Sequence, residues 1–187
     1  MIRFEEVSKS YGEKKILQNF SYAFAPGTYL LTGASGIGKT TLLRLIAGLE
    51  KPDGGRVITR EGLSLRMVFQ EDRLLPWRNV LDNVLLEDGN EEFARKILRN
   101  LGLEKEETSF PASLSGGMRR RCAIARALCA RPDILLLDEP FNGLDEAAKE
   151  KAAALILDVM KDGLVICAAH EKEAFAAWQP EELHLPG

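Results

Sequence analysis

The chain has 187 residues, 45% of them hydrophobic and 28% charged, with a net charge of -3 at neutral pH. That length suits one domain with a sizeable buried core, and the composition is ordinary for a soluble globular protein. No apolar run approaches the roughly 18 to 20 residues of a membrane span. The first residues, Met1-Ile2-Arg3-Phe4-Glu5-Glu6, lack the apolar core of a signal peptide. The acidic balance excludes a dominant electrostatic attraction to nucleic acid. The expectation is a cytosolic protein.

Residues 2 to 7 alternate as a strand, and Phe20-Ser21-Tyr22-Ala23-Phe24 alternates again before a Pro26-Gly27 turn. An antiparallel region therefore precedes the first strong motif. That motif follows the apolar Tyr29-Leu30-Leu31 and reads Gly33-Ala34-Ser35-Gly36-Ile37-Gly38-Lys39-Thr40-Thr41, then passes into the helical period of Leu42 to Ala47. Strand, glycine loop and helix with G-x-x-x-x-G-K-[ST] spacing make a phosphate-binding P-loop. Gly33, Gly36 and Gly38 let the backbone close into a nest of inward N–H groups, and the helix adds its positive end. Lys39 is placed to reach the β- and γ-phosphates, and the Thr40 hydroxyl to ligate Mg²⁺. Tyr11, in Ser10-Tyr11-Gly12, reads equally as a core or turn tyrosine and as an exposed ring that stacks on adenine.

Gly48 and Pro52-Asp53-Gly54-Gly55 end the helix and turn the chain. Strand-like pieces follow at Arg56 to Thr59 and Leu65 to Phe69. Gln70 comes just after the second, where nucleotide-contacting side chains sit in open α/β sheets. Taken alone, it reads as a solvated loop residue. From Val80 to Leu103 the period is helical, with the acidic Glu87 to Glu92 as a solvated break between two helices. Residues 79–130 thus read as a helical lobe without strands.

Ser115 is placed to cap the helix that carries Arg119-Arg120-Arg121, and Gly116-Gly117 lets an anion approach its end, a second possible phosphate site. One turn of arginines in an acidic chain is weak evidence for nucleic acid. Cys122 and Cys129, seven apart on one helical face, read with Cys167 as small buried hydrophobes, since the spacing fits no metal or redox pattern. Ile134-Leu135-Leu136-Leu137 suits a strand buried on both faces. Asp138 and Glu139 end it, the first suited to a Mg²⁺ shell and the second to polarising a water. Glu146 to Met160 is helical, and Leu164 to Ala169 is another buried strand with His170 at its mouth. His184, in a short terminal strand-like piece, has no assigned role.

In this order the motifs resemble those of the ABC-type ATPases, over essentially the whole chain. The P-loop is similar to Walker A, Gln70 to the Q-loop, Leu114-Ser115-Gly116-Gly117 to the signature LSGG, and Ile134 to Glu139 to Walker B with its glutamate. Leu144-Asp145 resembles the D-loop, His170 the H-loop, and Tyr11 the aromatic that stacks on adenine. The resemblance implies an α/β P-loop fold over residues 1–187. A mainly parallel core sheet and an N-terminal antiparallel β region would occupy 1–78 and 131–187, with an inserted helical subdomain at 79–130. It implies ATP and Mg²⁺, the ion held by Thr40, Gln70 and Asp138, with Glu139, His170 and Gln70 catalytic. Asp145 and Ser115 to Gly117 would face a nucleotide shared with a second copy, paired head to tail.

The stretch Phe69 to Val84, with Leu74-Leu75-Pro76-Trp77, resembles that of nitrate, sulfonate and taurine-type importers. Their membrane permease subunit would meet Gln70 to Asn79. Met118 stands where the family usually has glutamine, Phe141-Asn142-Gly143 departs from the usual D-loop lead, and the chain is short for the family. The implied function is the ATPase subunit of a membrane transporter, with a soluble ABC ATPase acting on nucleic acid or ribosomes, or a regulatory subunit without turnover, as alternatives.

Overall fold

Four aliphatics in a row have to be covered on both faces of a strand, and the architecture is built around that need. The computed structural model of the protein describes residues 1–85, 90–169 and 173–185. The aliphatic run is β6 (Ile134–Asp138), with all five residues buried. It lies in a parallel sheet ordered β5 (Leu65–Val68), β6, β7 (Leu164–Ala168), β3 (Gly27–Thr32) and β8 (Glu181–His184). Successive side chains point to opposite faces. Ile134 and Leu136 join one apolar cluster with Tyr29, Leu31 and Ile166, and Leu135 and Leu137 join the other with Leu30, Val165 and Cys167.

The first cluster lies against helix α1 (Lys39–Ile46) and a three-stranded antiparallel sheet, ordered β2 (Lys14–Phe24), β1 (Ile2–Tyr11) and β4 (Gly54–Thr59). The second cluster is covered by α2 (Val80–Val84), α3 (Glu91–Asn100), α4 (Gly116–Cys129) and α5 (Glu146–Val159). The expected α/β class, with parallel core, antiparallel β region and helices, is what forms. Cys122, Cys129 and Cys167 are all buried and free.

β1 runs past the expected residue 7 to Tyr11, and β2 begins well before Phe20. Bulges explain why the alternation hid this: the β1–β2 register shifts between Phe4 and Val7 and again up to Ser10, and Glu6 and Asn19 have φ of 50 and 47. Between residues 79 and 130 there is no strand among the described residues. The break expected at Glu87 to Glu92 falls partly outside the described residues. No described helix is long and apolar enough to cross a membrane.

Candidate nucleotide site

Because the five core strands are parallel, their carboxyl ends share one edge, where ligands collect in open α/β sheets. The P-loop leaves β3, Gln70 follows β5, and Asp138 and Glu139 end β6. Residues far apart in sequence thereby line one cleft of about 420 Å³: Tyr11, Ser35, Gly36, Gly38, Lys39, Thr40, Thr41, Gln70, Asp138 and Glu139, joined by Lys14, Ile16 and Asn142. The rest of the loop, Gly33, Ala34 and Ile37, forms its frame.

Gly38 precedes α1 with φ 116, and a Cβ there would sit 2.3 Å from Ile16 Cγ2, so no other residue fits. As the N-cap it offers no side-chain acceptor. The first-turn N–H groups are left for an anion. Lys39, only 7% exposed, folds over the loop, its Nζ donating to Gly33 O at 2.8 Å and Ala34 O at 3.3 Å. Lys14, opposite Tyr11 in the β1–β2 register, donates to Gly36 O at 3.0 Å and adds a second ammonium to the rim.

The Thr40 hydroxyl donates to Asp138 Oδ1 at 3.1 Å, tying the P-loop helix to β6. Burial pushes the Asp138 carboxyl up, against the Thr40 hydrogen bond and the positive charges of Arg44, Arg120 and Lys39. A hydroxyl, a carboxylate and the nearby Gln70 amide form an all-oxygen donor set, which fits Mg²⁺. Glu139 is half-buried and has φ 49, a left-handed backbone costing roughly 1–3 kcal/mol at a non-glycine residue. Its N–H donates to Ala168 O at 2.8 Å.

Tyr11 is 46% exposed, and its hydroxyl donates to the Glu50 carboxylate while Lys9 Nζ lies 5.4 Å from its ring centroid. The ring is therefore held at the cleft wall rather than in the core. Ser115, Gly116, Gly117 and Asp145 do not line this cleft. Ser115 Oγ accepts from Met118 N at 3.2 Å as the cap of α4, and Asp145 Oδ1 accepts from Ala148 N at 2.9 Å as the cap of α5. The two caps are neighbours: a Cβ on Gly117 would press on Gly143 O at 3.2 Å. Gly143 has φ 76, a backbone region that favours glycine. Met118 packs its side chain against the helical core cluster. His170 lies outside the described residues.

A model of the ABC transporter family matches residues 17–142. The chain belongs to the ABC transporter family. This ABC-family chain is 46% identical over 157 residues to "Aliphatic sulfonates import ATP-binding protein SsuB 1" of Burkholderia cenocepacia (strain HI2424), covering 80% of this chain and 49% of that protein. A relative of the same name from Rhodococcus jostii (strain RHA1) is 43% identical over 175 residues, covering 89% of this chain and 71% of that protein. The chain thus spans about half the length of the Burkholderia relative. Among solved structures, the dimeric post-hydrolysis state of the ATP-binding cassette MJ0796 bound to ADP and Pi superposes with a TM-score of 0.86. It is 29% identical and covers 99% of this chain and 94% of that one.

Proposed function

We propose that this ABC-family chain is the ATP-binding and ATP-hydrolysing subunit that powers a membrane importer of a small anionic or organic solute such as nitrate, a sulfonate or taurine. The observation that carries the reading is the meeting of Lys39, Thr40, Asp138 and Glu139 in one cleft behind an uncapped helix end. The loop amides and Lys39 bind the triphosphate, and Tyr11 stacks on the adenine. Thr40, Asp138 and Gln70 hold Mg²⁺, which when bound neutralises charge on the phosphates. Glu139 takes a proton from the attacking water. His170 joins them by its place in the sequence.

Ser115 to Gly117, away from the cleft of their own chain, then serve a second copy. In a head-to-tail pair, Ser115 and Gly117 of the partner subunit touch the γ-phosphate, so closure follows ATP and opening follows hydrolysis. The permease contact is assigned to the loop from Gln70 to Asn79. Asn83, fully buried, holds that loop by accepting from Leu75 N at 2.8 Å and donating to Leu75 O, Arg78 O and Asn79 O. Trp77 stands 70% exposed on it, as an aromatic anchor for a protein partner would. Such a permease would keep the chain on the inner face of the cell membrane. The two relatives named for aliphatic sulfonate import support the importer class.

The test is the solution mass of Glu139→Gln with and without ATP, alongside its turnover. The expected result is bound ATP, an ATP-dependent dimer and hydrolysis reduced about 10²- to 10⁴-fold. Wild-type turnover in that variant would remove Glu139 from its role.

A further inference from the structure

The arginine run of α4 contains one side chain that is turned into the core. Arg119 and Arg121 are half-buried, whereas Arg120 is only 3% exposed. A buried guanidinium needs its donors matched and its charge answered. Arg120 Nε donates to Pro140 O at 3.0 Å, and one terminal nitrogen donates to Asp138 O at 2.9 Å and also to Glu139 O. The other terminal nitrogen donates to Phe69 O and lies 3.5 Å from Asp72 Oδ1, which supplies the counter-charge.

Those carbonyls belong to the functional segments. Phe69 immediately precedes Gln70, and Asp138 and Glu139 are the acidic pair at the end of β6. A non-glycine residue stays in the left-handed region only where its surroundings hold it. At Glu139 the N–H is held by Ala168 O and the carbonyl by Arg120.

We infer that Arg120 is a positioning residue for hydrolysis, whose planar fork fixes the backbone on either side of the cleft and so aims Gln70 and Glu139 at the nucleotide. It acts through them, since it is not part of the cleft wall. Two more arginines extend the tie. Arg126 donates to Asp72 O at 3.1 Å and Arg73 O at 2.8 Å, and Arg119 lies 3.8 Å from Asp72 Oδ2. The helix that starts at the signature glycines therefore carries the Gln70 loop with it. Lysine cannot substitute, because one ammonium cannot span carbonyls on both segments with a rigid fork.

The inference rests on the reading of Glu139 as the group that polarises water. Turnover per folded chain, ATP affinity and thermal unfolding are compared for the full chain, R120Q, R120K and E139Q. Both Arg120 variants are expected to lose about tenfold or more in turnover, as small misplacements of catalytic groups do. Their ATP affinity stays within about threefold of wild type, a loss confined to the transition state. R120K keeps the positive charge and carries the test if R120Q does not fold. Wild-type turnover per folded chain in the Arg120 variants, with E139Q inactive, overturns the inference alone. Turnover and affinity falling together with the folded fraction overturn it too, because a purely structural arginine behaves that way. Wild-type turnover in E139Q instead removes the underlying reading of Glu139.

Discussion

Two helices of this chain begin at glycine-rich motifs, and their ends are built differently. α1 starts after Gly38, which supplies no capping side chain, and its buried Lys39 lies over the loop within the cleft. α4 starts after Ser115, whose own hydroxyl satisfies a first-turn N–H, and Ser115 and Gly116 are exposed. The glycines differ in the same way. Gly38 is forced by its own chain, through Ile16 and a positive φ, whereas Gly117 needs only a modest clearance from Gly143. A helix end that must hold an anion within its own chain keeps its donors open and surrounds them. One that is to meet an anion from outside can be capped, stable and exposed beforehand.

If that contrast holds, damage to the α1 end should appear in a single chain, and damage to the α4 end only in the pair. Replacing Lys39 with Ala has the largest expected effect, a loss of about 100-fold in ATP affinity, or about 2.7 kcal/mol, read by nucleotide titration of the monomer. Unchanged affinity would break the comparison at its first term. Ser115→Ala should cost about 1 kcal/mol of stability in thermal unfolding, the usual worth of a cap, and leave monomer ATP affinity unaltered while weakening ATP-dependent pairing. An affinity loss in the monomer would mean that the two ends are not separate.

The smallest effect sharpens the contrast between the two edges of the sheet. Asp133, before β6 at the amino edge, accepts from Ser64 N and Oγ, both at 2.8 Å, and these bonds hold its carboxyl below the usual range. A depressed carboxyl contributes stability that is present above its unfolded pKa of about 3.9 and lost as pH falls through the folded value. Asp133→Asn should therefore be less stable than wild type at neutral pH, with the difference closing in acid, in a pH series of unfolding temperatures. ATP affinity should not follow it, since Asp133 lies at the edge opposite the cleft.

Much of the fold and the nucleotide loop was legible without coordinates. The P-loop glycines, the doubly buried β6 and β7, and the cap at Ser115 are written in spacing and local chemistry. β1 was legible only in part, because bulges interrupt the period on which a strand reading depends. Lys14 on the loop carried no signal of its own. It depends on the pairing that sets it opposite Tyr11, and no local pattern states which residues two strands bring together.

The amino-acid sequence by itself determined where most strands and helices lie, where a phosphate can be cradled, and which family the motifs resemble. Those are properties of spacing over a few residues, where backbone geometry leaves little choice. Tertiary structure decided that Arg120, out of three adjacent arginines, turns into the core, that Met118 packs inward, and that Ser115 to Gly117 lie away from the cleft of their own chain. Each of these depends on how a helix is rotated against its neighbours, and that angle is fixed only when the whole core is packed.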